Sequence, residues 1–266
     1  MKFPMRLLTP TLIATVLAIG THNEVVAAAG AGTIRGHVRL SGPLPGNPII
    51  RMGVDPLCAA ANAGPQRPVQ EIVVRSADGG LANVFVTLSG TFPKTAPPKT
   101  PGVIRQLKCA DSPRVVAAMV GQTLSIVNSD TLAHETHSIT SKNNTFKVTQ
   151  PHSDMVFNYT LKNPEEMLRL GCEVHRWMVA YVGVEPHPYF NVTNEMGSFT
   201  IPNVPAGRHQ IRAWHERYGW LTKTVDVKPG DTVTMDFTYT GQEHPSAGLR
   251  DLRPGDAGTV RLLAQR

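Results

Sequence analysis

The sequence is short of cysteine, aromatic residues and clustered charge. It has three Cys, and aromatic residues make up 6% of the chain. Three Cys cannot form the dense disulfide framework of a small secreted scaffold. They allow one pair and leave one thiol over. No zinc-type C-x2-C pairing occurs. The net charge of +6 is scattered, without Lys/Arg runs or aromatic–basic interleaving, so nucleic acid is not an expected partner. Helical periodicity is also missing over any long stretch, and no phosphate-cradling loop, nucleophile elbow or zincin motif is found. The adjacent carboxylates Glu165 and Glu166 read as a solvated turn. An enzyme is not expected.

The one long apolar run lies at the N-terminus. Lys2 and Arg6 precede Leu7 to Ile19, and Val26-Ala27-Ala28-Ala29 offers a small-residue cleavage site. That is the layout of a secretory signal peptide over 1–28. No other run is long enough to span a bilayer. The expectation is a periplasmic or secreted protein without stable membrane insertion.

The remaining chain alternates short period-two segments with Gly/Pro turns. Thr33–Leu40, Ala82–Leu88, Thr123–Asn128, Met155–Leu161 and Leu168–Cys172 read as strands, as does Glu71–Arg75. Val179–Val184 reads as a mostly buried strand, and five more strands follow between Tyr189 and Tyr239. Strands at this spacing predict an all-β sandwich architecture. Gln242–Arg266 loses periodicity and reads as a disordered tail.

The chemistry concentrates in Gly171-Cys172-Glu173-Val174-His175-Arg176-Trp177-Met178. A thiol, an imidazole and a thioether sit on a short loop between two strands. Alone, each reads as a core or turn residue. Together they match the ligand types of a copper site built from one Cys, two His and a weak axial Met. Cys58 and Cys109 have no ligand-type residue at metal-motif spacing, so they are assigned to a disulfide and Cys172 to a free thiolate. The alternative is a structural zinc held by all three Cys and His175. The second imidazole is expected after Asn128. His137 shares strand parity with Ile139, while His134 lies nearer the strand's start, and the residues alone leave both open.

Asn128-Ser129-Asp130-Thr131-Leu132-Ala133-His134 followed by Cys172-x2-His175-x2-Met178 resembles the cupredoxin family, with an amicyanin-like ligand loop. The resemblance covers about Ala82 to Val184. It implies a Greek-key β-sandwich, one mononuclear type 1 copper, single-electron transfer and a redox partner protein. It also implies His134, Cys172, His175 and Met178 as ligands, with His137 as a neighbour. Glu135, Thr136 and Arg176 depart from the family pattern. Glu135 and Glu173 would bring carboxylates close to the metal, and a carboxylate ligand would make the site more tetragonal. Gly79–Val84 and Trp214-His215-Glu216 resemble the layout of exported methylamine-utilisation or plastocyanin-like proteins. Pro188 to Tyr239 resembles carboxypeptidase-regulatory-like β-sandwich modules. The expected organisation is therefore a cupredoxin-like domain over 29–185 with an N-terminal strand extension, then a smaller β-sandwich over 186–241. A second reading is a binding or scaffold module whose copper serves storage or delivery, or whose metal site is vestigial.

Overall fold

The computed structural model describes residues 30–65, 68–142 and 144–243. The expected signal peptide, and the expected tail from His244 onward, lie outside the described residues. Within them the regular structure is nearly all strand, arranged as two β-sandwiches. No helix there is long and apolar enough to cross a membrane.

In the first sandwich one sheet runs β5 (Val115–Met119), β11 (Val179–Glu185), β10 (Glu165–Cys172), β7 (His134–Ile139) and β8 (Lys147–Gln150). It faces β4 (Ala110–Ser112), β3 (Gly102–Leu107), β6 (Thr123–Asn128) and β9 (Val156–Thr160). Alternation decides what lies between them. Leu168 and Leu170 from β10, Ala180 and Val182 from β11, and Leu124 and Ile126 from β6 share one buried cluster. Cys172 has the same parity but ends β10, so it leaves that core for a separate cluster with Met178 and Leu132.

The second sandwich pairs β12 (Phe190–Val192), β2 (Phe85–Ser89), β14 (Gly207–His215) and β15 (Gly219–Val227). Opposite lie β13 (Ser198–Val204) and β1 (Gly32–Leu40), with β16 (Thr232–Thr234) and β17 (Phe237–Tyr239) both parallel to β1. Ile34, Val38, Val86, Leu88, Phe199 and Ile211 meet in its core. Strand β2, expected with the first sandwich, pairs with β12 and β14. Strand β1 likewise pairs with strands from beyond Pro186. Thus two early segments complete the later sandwich. The strand expected over Glu71–Arg75 is replaced by an isolated bridge between Arg75 and Leu81.

The two sandwiches pack sheet against sheet, and that explains the continuous apolar run of β11. Its even positions point into the first core, while Val179 and Tyr181 face Phe85 and Trp214 of the second sandwich. A strand covered on both faces has no solvated positions to alternate. Gly183 has the outward parity, and a Cβ there would lie 2.6 Å from the Phe85 ring. The same seam holds a bidentate ion pair, Arg114 Nε to Glu216 Oε2 at 2.5 Å and Nη2 to Oε1 at 2.8 Å.

Between β1 and β2 the chain crosses to the first sandwich and forms a 3-10 turn (Met52–Val54) and a short helix, α1 (Pro56–Ala61). Asp55 caps α1 and accepts from the N–H groups of Leu57 and Cys58, with Pro56 at the first helical position. That is a strong helix-start signature in the sequence. Cys58 on α1 is bonded to Cys109, with Cα atoms 5.8 Å apart, inside the normal disulfide range. The expected pairing is thus present and Cys172 is free. The zinc alternative is overturned, because two of its three thiols are consumed in the disulfide.

Candidate metal centre

The site forms where β6 and β10 end and β7 and β11 begin. Strand β6 closes on Asn128, whose buried amide shapes the following loop. Its Nδ2 donates to the carbonyls of Leu132 and Gln150, and its Oδ1 accepts from the Asp130 N–H. This Asx-type turn sets Asp130 beneath His134, the first residue of β7. From the other side, β10 delivers Cys172. The loop to β11 is a single tight turn, closed by Met178 N–H donating to the His175 carbonyl at 2.8 Å.

Ligand-type atoms of His134, Cys172 and His175 lie within 4.8 Å of one another, and all three residues are buried. His134 Nδ1 is 3.2 Å from His175 Nδ1. Cys172 Sγ is 3.8 Å from His175 Nδ1. The outer nitrogens are held by carboxylates: His134 Nε2 by Asp130 Oδ2 at 3.0 Å and His175 Nε2 by Asp55 Oδ2 at 3.0 Å. An ionised carboxylate only accepts, so both Nε2 atoms carry the proton and both Nδ1 atoms face the sulfur. Such outer carboxylates orient a metal-binding imidazole and raise its basicity.

The electrostatics follow from this packing. Burial pushes the Cys172 thiol up, but hydrogen bonds from His134 and His175 and from the His175 and Glu135 backbone prevail, leaving it at about 5. Burial pulls His134 down, yet Asp130 and the thiolate raise it to about 9. His175 is raised as well, with burial opposed by Cys172 and Asp55. Asp55 is lowered, chiefly by its bond to His175. Without a metal the three groups hold one another as thiolate and imidazolium.

Met178 is 1% exposed and packs in the same cluster as Cys172, Met52 and Leu132. Trp177 lays its ring 5.2 Å from that of His175 and donates from Nε1 to the Cys109 carbonyl. His137 is not brought to the cluster. It points to the other side of β7, where it lies over Gly171 and 3.6 Å from Glu173 Oε1. A side chain at 171 would meet that ring at 3.2 Å, which accounts for the glycine before Cys172. Glu135 and Glu173 stand on this outer side too, both paired with Lys147.

Two residues of the site escape the motif reading. Asp130 sits four residues before His134 and reads as a turn residue. Asp55 lies 120 residues from His175. Its local signal, Asp-Pro at a helix start, announces a cap and says nothing of the imidazole.

No protein-family model matches the chain, and no curated protein matches it. The solved structures similar to it include cupredoxins. A purple cupredoxin from Nitrosopumilus maritimus is 21% identical, over 32% of this chain and 99% of its own, with a TM-score of 0.28. An amicyanin variant in its Cu(I) form is 17% identical, over 38% of this chain and 98% of its own, with a TM-score of 0.29. A copper-containing nitrite reductase from Thermus scotoductus is 18% identical over 36% of this chain, with a TM-score of 0.28, and the matched part is 25% of the reductase. At such TM-scores the likeness carries no argument, and the functional reading rests on the side chains.

Proposed function

We propose that this protein binds one copper ion through His134 Nδ1, His175 Nδ1 and Cys172 Sγ, with the Met178 thioether as a weak axial donor, and passes single electrons to and from a redox partner. One observation carries the reading. Two imidazole nitrogens and a thiolate converge in a buried space, and each imidazole is turned that way by a carboxylate on its far nitrogen. One thiolate with two imidazoles and a thioether nearby is a soft, mixed set that suits copper better than hard cations.

Copper in such a set supplies a one-electron couple at a site that changes little between its two oxidation states. The chain's residues provide the rest. The tight turn from Cys172 to Met178 fixes three donors relative to one another. Asp130 and Asp55 hold the imidazole orientations. Leu132, Met52 and Trp177 exclude water from the sulfur side. The backbone N–H groups of His175 and Glu135 stabilise the thiolate. The disulfide suits an oxidising compartment, in keeping with an exported protein.

Loading metal-free protein with Cu(II) should give an intense thiolate-to-copper band in the visible spectrum. That band should vanish in Cys172→Ala. Its absence from the loaded wild type would reject the reading. The storage or delivery reading is separated by a redox titration, because it expects tight Cu(I) binding without a reversible one-electron couple.

A further inference from the structure

The tip of the β3–β4 hairpin, Lys108 and Cys109, stands behind both imidazoles. Its two residues have φ of 55° and 57°. That left-handed pair is the geometry of a tight two-residue hairpin. Here neither residue is glycine, so the backbone is strained at both positions. Strain of this kind persists only where its surroundings over-determine it.

Four ties do so. Lys108 N–H and Cys109 N–H donate to the two oxygens of Asp130 at 2.6 and 2.8 Å. The Lys108 carbonyl accepts from Asn62 Nδ2 at 2.9 Å, and the Cys109 carbonyl accepts from Trp177 Nε1 at 2.9 Å. The Cys109 sulfur is bonded to Cys58. Three of these residues lead to an imidazole. Asp130 holds His134, Trp177 packs on His175, and Cys58 sits on the helix whose cap, Asp55, holds His175. Asp55 binds the Cys58 N–H with one oxygen and His175 with the other.

We infer that this disulfide-locked hairpin tip is a positioning element of the metal centre. Through Asp130 and Asp55 it fixes the outer nitrogen of both histidines, so the Cys58–Cys109 bond tunes the bound metal as well as stabilising the fold. The inference rests on the copper reading. An imidazole that donates to a carboxylate is a more basic ligand, and two of them favour the more highly charged ion. Freeing α1 withdraws Asp55 and weakens that preference, which raises the reduction potential.

The test compares the full mature protein with Asp55→Asn, with the double variant C58A/C109A, and with all three substitutions combined. Two readouts are used: the potential of the bound copper, and the alkylation rate of Cys172 by iodoacetamide in metal-free protein. Cys172 is the sole thiol available to the reagent in every variant. Asp55→Asn should change the ratio of Cu(II) to Cu(I) affinity about tenfold, raising the potential by about 59 mV for a one-electron couple. C58A/C109A should move it in the same direction, and Asp55→Asn should then add little. The double variant should also alkylate several-fold faster. If C58A/C109A lowers only the melting temperature and leaves potential and alkylation rate at wild-type values, the inference is overturned. Fully additive shifts overturn it too. A wild type without a thiolate-to-copper band rejects the copper reading itself, and the alkylation rates then decide the positioning role alone. If C58A/C109A does not fold, Asn62→Ala replaces it, since it cuts one tie between α1 and the hairpin and keeps the disulfide. The same shifts are expected, and wild-type values would again overturn the inference.

Discussion

His134 Nδ1 faces His175 Nδ1 at 3.2 Å while the far nitrogen of each ring is held by a carboxylate. Two donors cannot confront each other at that distance, so the pair holds a single proton between its Nδ1 atoms. A metal entering there must displace it. The Cys172 thiol, at about 5, is already ionised at neutral pH, whereas His134, at about 9, is still protonated. Copper affinity should therefore rise with pH, about tenfold per unit between pH 7 and 9. Competition against a chelator at fixed pH values checks this. Affinity independent of pH over that range would contradict the ion-paired state of the empty site.

His134 and His137 are three residues apart on one strand, and β7 sends them to opposite faces. His134 is fully buried beside Cys172, whereas His137 lies over Gly171 with its Nδ1 3.6 Å from Glu173 Oε1. His134→Ala should abolish the thiolate-to-copper band and cost at least tenfold in copper affinity. His137→Ala should keep the band and leave the affinity within a few-fold. The reverse pattern would move the ligand assignment to His137.

The sequence carried the local parts of this molecule and missed the distant ones. The Cys172–Met178 turn is legible because its donors are fixed by one short loop. The disulfide is legible because only Cys172 has ligand-type neighbours at metal spacing. Parity favoured His137, since His137 and Ile139 alternate together. That preference needs Ile139 to face the core, but Ile139 is only part-buried and outside the core cluster, and the alternation of β7 buries His134 and Thr136 instead. Asp55 was out of reach for another reason. Its contact with His175 joins α1, the hairpin tip bonded to it through Cys109, and the Cys172–Met178 turn, three segments far apart in the chain. The destination of β2 was hidden as well, because Val84, Val86 and Leu88 would suit the inner face of either sandwich.

Gly183 places a backbone where the Phe85 ring must fit. A methyl group at 183 would lie 2.6–2.8 Å from three atoms of that ring. Both residues are held in strands, so neither moves freely. Gly183→Ala should destabilise the protein by about 1–3 kcal/mol through overpacking. Phe85→Leu should cost stability alone yet relieve part of the Gly183→Ala penalty when combined with it. Urea unfolding of the four proteins of this cycle measures the coupling. Additive losses would show that the two residues do not compete for the same space.

Glu185 ends β11 beneath the seam, and burial raises its carboxyl to about 7, against the lowering effects of Thr87 and Arg212. Glu166 adds to the rise, and His187 Nε2 lies 3.6 Å away. The folded state thus prefers the neutral acid, while the unfolded chain ionises at its ordinary value near 4.5. The stabilisation from the neutral form is complete below about pH 4.5 and is lost as pH rises through about 7. His187 contributes in the opposite sense. Its pKa is lowered by burial, so its stabilisation is present above the ordinary histidine value and is lost as pH falls through its own lowered one. The two effects are separated by substitution. At pH 8, Glu185→Gln should be more stable than wild type by about 1–2 kcal/mol, allowing for partial solvent screening. At pH 4 the two proteins should differ little. Denaturant unfolding of metal-free protein at both pH values tests this. A wild type that stays the more stable at pH 8 would mean that Glu185 is ionised in the fold and held by Arg212.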